Sequence, residues 1–347
     1  MYGWSLLRTN KNPVDATTRS VDDEYVVNML NVRGRRELER LEISNSTILP
    51  RTDVNAEGPL PPFLYSFSQM VSTYEALKVL ARALQAQPRY STAFYGREKK
   101  YKLGACLIPK IMSTSMTAVL CYLQNTTEFD ESGRKIQNEM WKERFCGKEI
   151  EYKTMKEFEK KENQDNSYKI FTVVRDPIER FLSAFTDKCY YEPRKPVPNN
   201  MCVEVGCGDD LECFIKKLEK RMWDFVKRKE KKLSAMDVHV MPQTWNCEME
   251  RYLEKNKFFR YSKQPSPEYN NFLHEFKGLL RQRKVSEDLI DNVMSSINGS
   301  TSPHSTAGAS ARSFYANRLY SRPDLLKILV NIYYYDYKVF GFPMPEL

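Results

Sequence analysis

The sequence predicts an α/β domain: a central, mainly parallel sheet flanked by helices, with a helix-rich C-terminal half. Two observations predict it. Residues 102–108 and 169–174 are short apolar or β-branched runs, and each passes through a Pro-containing loop into a helical pattern. Beyond residue 210, three further segments carry helical apolar spacing. At 347 residues, 41% hydrophobic and 12% aromatic, the chain can bury one large core and lies outside the disordered range.

In chain order, residues 1–95 read as a stem or variable N-terminal region and 96–347 as the main domain. The first 60 or so residues mix charged and apolar types and close on Pro50, Pro59, Pro61 and Pro62. Val71, Tyr74, Leu77, Leu80 and Leu84 place a packing helix within 65–84. Lys102–Ile108 is a strand bounded by Pro109, with a helix over 113–123; Lys169–Val174 is a strand interrupted by Arg175-Asp176-Pro177, with a helix over 178–190. Residues 192–210, rich in Pro, Asn, Gly and Cys, form a long loop. A helix over 211–236 turns Leu211, Phe214, Ile215, Leu218 and Met222 inward and Lys216, Lys217, Lys220, Arg221, Lys227 and Lys231 outward. One more helix spans 268–296, a Ser/Thr/Gly/Ala-rich flexible segment covers 299–311, and a last helix runs from Pro323 to Gly341.

Charge narrows the partner. Fifty-four Lys+Arg against 45 Asp+Glu give +9, a field that favours nucleotides, sulfated glycans, nucleic acid or acidic membranes. No zinc-finger, helix-turn-helix or RNA-binding signature accompanies it, so nucleic acid is not the expected partner. The basic face of 211–236 suits either a polyanionic acceptor or plain solvation. No apolar run approaches the length of a membrane span, and Met1–Arg8 lacks the pattern of a signal peptide. The eight cysteines, an even count, are compatible with disulfides in an oxidising compartment or with reduced core thiols; Cys202, Cys207 and Cys213 read as a stapled loop rather than a zinc site. Asn45, Asn125 and Asn298 open N-glycosylation sequons.

The chemistry concentrates at the two strand-to-helix junctions. In Pro109-Lys110-Ile111-Met112-Ser113-Thr114-Ser115, free backbone N–H groups, hydroxyls and one lysine can cradle an anionic ester, although a Ser/Thr cap beside a surface lysine has the same spelling. Lys110 is placed to stabilise charge on a departing oxygen. The loop lacks the glycines of a Walker A motif, which argues against an ordinary ATPase or kinase. At the second junction Arg175 leaves the strand, and Ser183 follows about two helical turns on. Together they can grip a phosphate monoester. Asp176 is expected to cap the helix, and Arg180 can be a salt-bridging helix residue.

These residues resemble the Golgi carbohydrate sulfotransferases, the group containing the chondroitin, dermatan and HNK-1 sulfotransferases, and most closely its nematode-type members. The resemblance rests on R-D-P-x-x-R-x-x-S-A-F at 175–185, on His239–Cys247, on His304-Ser305-Thr306 and on Tyr333–Phe342, and covers about 100–345. It implies a P-loop-like sulfotransferase fold for 96–347. It also implies transfer of a sulfuryl group from 3′-phosphoadenosine 5′-phosphosulfate to a glycan hydroxyl, anionic chondroitin-like glycosaminoglycans included, without a metal. Lys110, Ser113, Thr114 and Ser115 would hold the 5′-phosphosulfate, and Arg175 and Ser183 the 3′-phosphate. The chain departs from the better-known members, whose loop is of a cysteine-threonine-asparagine type where this one has Ser113-Thr114-Ser115. The family also implies a Golgi membrane anchor, and none is visible in this sequence.

Transfer needs a base, and with three histidines His239 is the candidate, either as the base or as a hydrogen-bonded structural residue. Glu128, Asp130 and Glu139 are the fallback bases, His304 lies in a loop able to close over a ligand, and His274 reads as structural. Two rivals stand beside this reading. A phosphotransferase would betray itself by magnesium dependence. A catalytically inactive glycan-binding relative would bind sulfated chains with no use for Lys110, Arg175 and Ser183.

Overall fold

The computed structural model of the chain describes residues 94–146, 150–162, 167–194, 201–226, 232–262, 265–298 and 310–347. The helix expected within 65–84 and the His304 loop lie outside these residues.

A five-stranded sheet is built from β1 (Phe94–Glu98), β2 (Leu103–Leu107), β3 (Glu151–Tyr152), β4 (Lys169–Arg175) and β5 (Asn256–Tyr261), in the order β3-β1-β2-β4-β5. Strands β2, β4 and β5 are parallel neighbours, with Cys106 opposite Thr172 and Arg175 opposite Tyr261. On the far side β1 pairs antiparallel with both β2 and β3. Each parallel step requires a crossover, so helices cover both faces, and the run Leu103–Leu107 is buried at every position. That double burial explains why the sequence shows a continuous apolar run there instead of an alternation. The β1–β2 turn closes on the buried Glu98 carboxylate, which accepts from the backbone N–H groups of Lys100 and Tyr101, each at 2.6 Å.

The helices that matter for the site are α1 (Ser113–Gln124), α2 (Met155–Lys161), α3 (Pro177–Phe185), α4 (Leu211–Val226), α5 (Ala235–Val240), α6 (Pro267–Gln282), α7 (Glu287–Asn298), α8 (Ser310–Tyr320), α9 (Pro323–Ile332) and α10 (Tyr334–Phe340). Helix α1 lies so close to β1 that a Cβ on Gly96 would sit 2.7 Å from Leu120 Cδ1. Phe171 and Phe259 of adjacent strands pack against Phe272 and Phe276 of α6, with ring centroids 5.4–6.4 Å apart. Contacts of this kind add to burial in fixing the sheet against its helical layer.

Four predicted helices differ in detail. The single helix over 268–296 is two, because Lys284 turns left-handed (φ 61°) and the Val285 N–H reaches back to the Leu280 carbonyl at 3.1 Å. No glycine or asparagine marks that stop, so the spacing alone reads through it. The last helix also breaks, at Tyr333, before Gly341 (φ 65°) ends α10 as expected. The segment 211–236 holds α4 over Leu211–Val226, and α5 starts afresh on a capping box in which Ser234 and Asp237 satisfy each other's backbone N–H groups. The helix over 178–190 has its expected reach, but Thr186–Tyr191 winds as a π-helix.

All eight cysteines are paired: Cys106–Cys247, Cys121–Cys146, Cys189–Cys202 and Cys207–Cys213. The last two staple the expected loop. No helix among the described residues is long and apolar enough to cross a membrane.

Candidate active site

Beyond β2 the backbone enters a tight loop in which Lys110 (φ 69°) and Met112 (φ 55°) are both left-handed. Each costs about 1 kcal/mol or more for a residue with a Cβ. This is a shape that glycines permit in phosphate-binding loops, reached here without them. Helix α1 then starts without a side-chain cap and without an acidic residue in its first turn, and its first internally bonded N–H is that of Met116, to Met112 O at 2.8 Å. The N–H groups of Ser113, Thr114 and Ser115 therefore have no acceptor within the helix and carry the positive end of its dipole. Such a loop is suited to an anion.

Lys110 points its Nζ to Asp187 Oδ2 at 3.1 Å, and Lys188 Nζ meets the same oxygen at 2.9 Å and Glu192 Oε1 at 3.6 Å. All four side chains are buried. Burial pulls the Lys110 ammonium down to about 8; Asp187 opposes this, while Lys188 and Arg175 add to it. The π-helix supplies Asp187 and Lys188, and π turns are often found at functional sites.

At the second junction Asp176 caps α3, accepting from the Glu179 N–H at 2.8 Å, with Pro177 in the first turn. Gln243 holds the strand end: its Oε1 accepts from Arg175 N at 3.0 Å and its Nε2 donates to Arg175 O at 2.8 Å. Gln243 and Thr244 are in turn held by the buried Asp336 of α10, at 2.7–2.9 Å from their backbone N–H groups. The Arg175 guanidinium is loosely held, 3.5 Å from Lys110 O and 3.4 Å from Glu179 Oε2, with the Tyr261 ring 5.7 Å away. Ser183, one turn after Glu179 on the same face of α3, is buried. Arg180 behaves differently from the expected salt-bridging residue. It is 1% exposed, and its Nε, Nη1 and Nη2 donate to the carbonyls of Pro109 (3.0 Å), Met241 (2.6 Å) and Val238 (3.2 Å). One side chain thus ties the Lys110 loop to α5.

Helix α5 carries His239. Its Nδ1 lies 2.7 Å from the Ala235 carbonyl, which can only accept, so Nδ1 holds the proton and Nε2 keeps a lone pair. Burial is the main cause that drives the imidazole down to about 4, and the charges of Lys188, Lys110 and Arg180 contribute. The ring is therefore neutral near pH 7 and close enough to Lys110 to feel its charge.

The family model described as "Sulfotransferase family" matches residues 95–343. The chain belongs to the sulfotransferase family. It is 32% identical over 254 residues to the uncharacterized protein C18B2.2 of Caenorhabditis elegans, covering 71% of this chain and 68% of that one. It is 30% identical over 253 residues to the carbohydrate sulfotransferase chst-1 of the same organism, covering 72% and 75%. No solved structure matches it.

In this sulfotransferase Lys110, the Ser113–Ser115 turn and Arg175 follow the C-terminal ends of β2 and β4, and His239 is near enough to Lys110 to feel its charge, while Ser183 is buried about two turns along α3. The fallback bases fall outside the group. Glu128 and Asp130 follow the far end of α1, a 12-residue helix about 18 Å long. Glu139 is bound to Arg134 Nη1 at 2.6 Å and to Phe145 N at 2.8 Å. His274 is exposed on α6. The basic face of α4 is largely committed: Lys216 to Glu212, Lys220 to Asp224, Arg221 to Asp237, and Lys217 to the carbonyls of Val205 and Gly206. Sequence reasoning missed Arg312, Asp187 and Lys188. Arg312 follows a segment read as flexible, and its Nη2 reaches the Glu179 carboxylate and the Glu179 carbonyl. Asp187 and Lys188 fall within the helix expected over 178–190, with nothing in the spacing to single them out, and both are buried.

Proposed function

We propose that this sulfotransferase transfers the sulfuryl group of 3′-phosphoadenosine 5′-phosphosulfate to a hydroxyl of a glycan, with chondroitin-like chains the first acceptors to test. One observation carries the reading. The Arg175 guanidinium lies 3.5 Å from the Lys110 carbonyl, so the two anion-binding groups occupy neighbouring parallel strand ends. This is the crevice where α/β sheets bind nucleotides. The glycan class is taken from chst-1, which is named a carbohydrate sulfotransferase.

The residues fit such a donor: an uncapped helix start and a loosely held arginine leave room for an anion, beside a buried lysine that must share its one carboxylate, Asp187, with Lys188. Lys110 and the turn of Ser113, Thr114 and Ser115 would hold the 5′-phosphosulfate, and Arg175 with Ser183 the 3′-phosphate. His239 Nε2 would take the proton of the acceptor hydroxyl as its oxygen bonds to sulfur. Lys110 would stabilise the charge left on the bridging oxygen as the S–O bond breaks and 3′-phosphoadenosine 5′-phosphate departs. Burial first, and positive neighbours after it, keep His239 a weak base in the free chain, and the arriving anionic donor would offset the second of these causes only. The catalytic domain would begin near residue 96.

A Golgi lumenal setting is supported by the family and by four disulfides, and Asn125 and Asn298 are exposed, as glycan acceptors must be. The test is calorimetric titration with 3′-phosphoadenosine 5′-phosphate, with and without magnesium. Micromolar, magnesium-independent binding that Arg175→Ala abolishes is expected. A folded wild-type chain that does not bind would overturn the enzyme reading in favour of a glycan-binding relative.

A further inference from the structure

We infer that Arg312 is a second guanidinium for the donor's 3′-phosphate, forming with Arg175 a two-arginine site whose counter-ion in the free protein is Glu179. The inference rests on the donor reading above and adds a residue to it from the C-terminal helices.

Three observations lead there. Arg312 is 6% exposed, yet its Nη1 is buried without a hydrogen-bond partner among the described residues. A buried cationic N–H left unpaired is costly, and its persistence points to a partner that arrives later. Second, Arg312 Nη2 and Arg175 Nη2 address the same Glu179 Oε2, the latter at 3.4 Å. Two guanidiniums share this one carboxylate, the Asp176 carboxyl nearby being spent on capping α3, and Arg312 is close enough to help lower the proton affinity of Arg175. Third, Glu179 and Ser183 lie one turn apart on the same face of α3, so the shared carboxylate and a buried hydroxyl look into one region.

A phosphate monoester matches this set better than a sulfate ester does. It carries close to two negative charges near neutral pH and presents three equivalent oxygens, enough for two guanidinium forks and a hydroxyl. Glu179, with a side chain 38% exposed, is the member with a route to solvent, so it swings outward as the phosphate enters. Arg180 is the internal contrast, since each of its nitrogens already has a carbonyl and it offers nothing to a ligand.

The test compares two nucleotides, 3′-phosphoadenosine 5′-phosphate and adenosine 5′-phosphate, which differ only in the 3′-phosphate. In equilibrium binding, Arg312→Ala is expected to weaken the first by about 10- to 100-fold and leave the second within about twofold, the scale of a lost charge-assisted hydrogen bond. Arg312→Lys falls between, keeping the charge without the fork. Equal losses on both nucleotides, or no loss on either, overturn the inference. Should Arg312→Ala fail to fold, Glu179→Gln serves: removing the competing carboxylate is expected to tighten the 3′-phosphorylated nucleotide several-fold, and unchanged or weaker binding counts against the two-arginine site. A wild-type chain that does not distinguish the nucleotides refutes the 3′-phosphate assignment itself. Loss of preference in Arg175→Ala but not in Arg312→Ala refutes only the role of Arg312.

Discussion

Arg175 and Arg180 stand five residues apart in one short motif, and both are largely withdrawn from solvent. Arg180 is saturated by three carbonyls at 2.6–3.2 Å, whereas Arg175 makes two long contacts at 3.4–3.5 Å. On the proposed reading, the difference separates frame from ligand-binding residue. A guanidinium whose nitrogens are all satisfied inside the protein holds the site together, and one held loosely is available to an anion. The same contrast holds between Lys217, spent on backbone carbonyls, and Lys110, kept buried beside one shared carboxylate.

The comparison is broken most severely at Arg180. Arg180→Ala strands three carbonyls in the interior and is expected to cost about 3 kcal/mol or more. A large drop in Tm, with donor binding lost alongside, should follow in thermal melts; a melt like that of the wild type would remove Arg180 from the frame. Lys110→Ala is the converse case: Asp187 keeps Lys188 as its partner, so the fold should survive. Turnover should fall about 100- to 1000-fold, the usual loss on removing a transition-state charge contact. Sulfate-transfer rates measured at saturating donor would show it. His239→Ala should fall about 100-fold or more, as for loss of a general base, with donor affinity nearly unchanged.

A smaller effect concerns pH. Lys110 must stay protonated, and its ammonium sits at about 8 in the free protein, below its ordinary value. kcat/KM should therefore decline as pH rises through about 8, while kcat, which reports the donor-bound state, should decline only at higher pH. The His239 imidazole is at about 4, below its unfolded value, so the unfolded chain binds its proton first as pH falls. That group contributes stability that is fully present above its ordinary value and lost as pH drops toward 4. Ser183→Ala should be mildest: donor affinity reduced a few-fold, about 1 kcal/mol, with an unchanged melt.

Much of the frame is legible in the sequence, because β2, β4, α1 and α3 each carry an apolar pattern of one period and a Pro or Asp at the junction. The anion loop is half legible. Its lysine and hydroxyls can be read, but the left-handed turns at Lys110 and Met112 cannot, since neither residue type announces such a conformation. Arg312 and Asp187 are hidden for another reason: their meaning lies in contacts 133 and 77 residues away, to Glu179 and Lys110. The break at Lys284 is concealed by the absence of glycine.

The Cys106–Cys247 bridge, with a sequence separation of 141, joins the end of β2 to the segment that follows His239. In a chain-entropy picture a loop of that length contributes about 5 kcal/mol. Its placement governs timing. During synthesis the strand that leads to Lys110 is made long before the segment bearing His239, and the link that fastens the two walls can close only after both exist and an oxidant is present. The link is thus made late, and because Cys106 and Cys247 are both buried, a reductant added to the finished protein should open the more accessible Cys207–Cys213 bridge before it reaches this one.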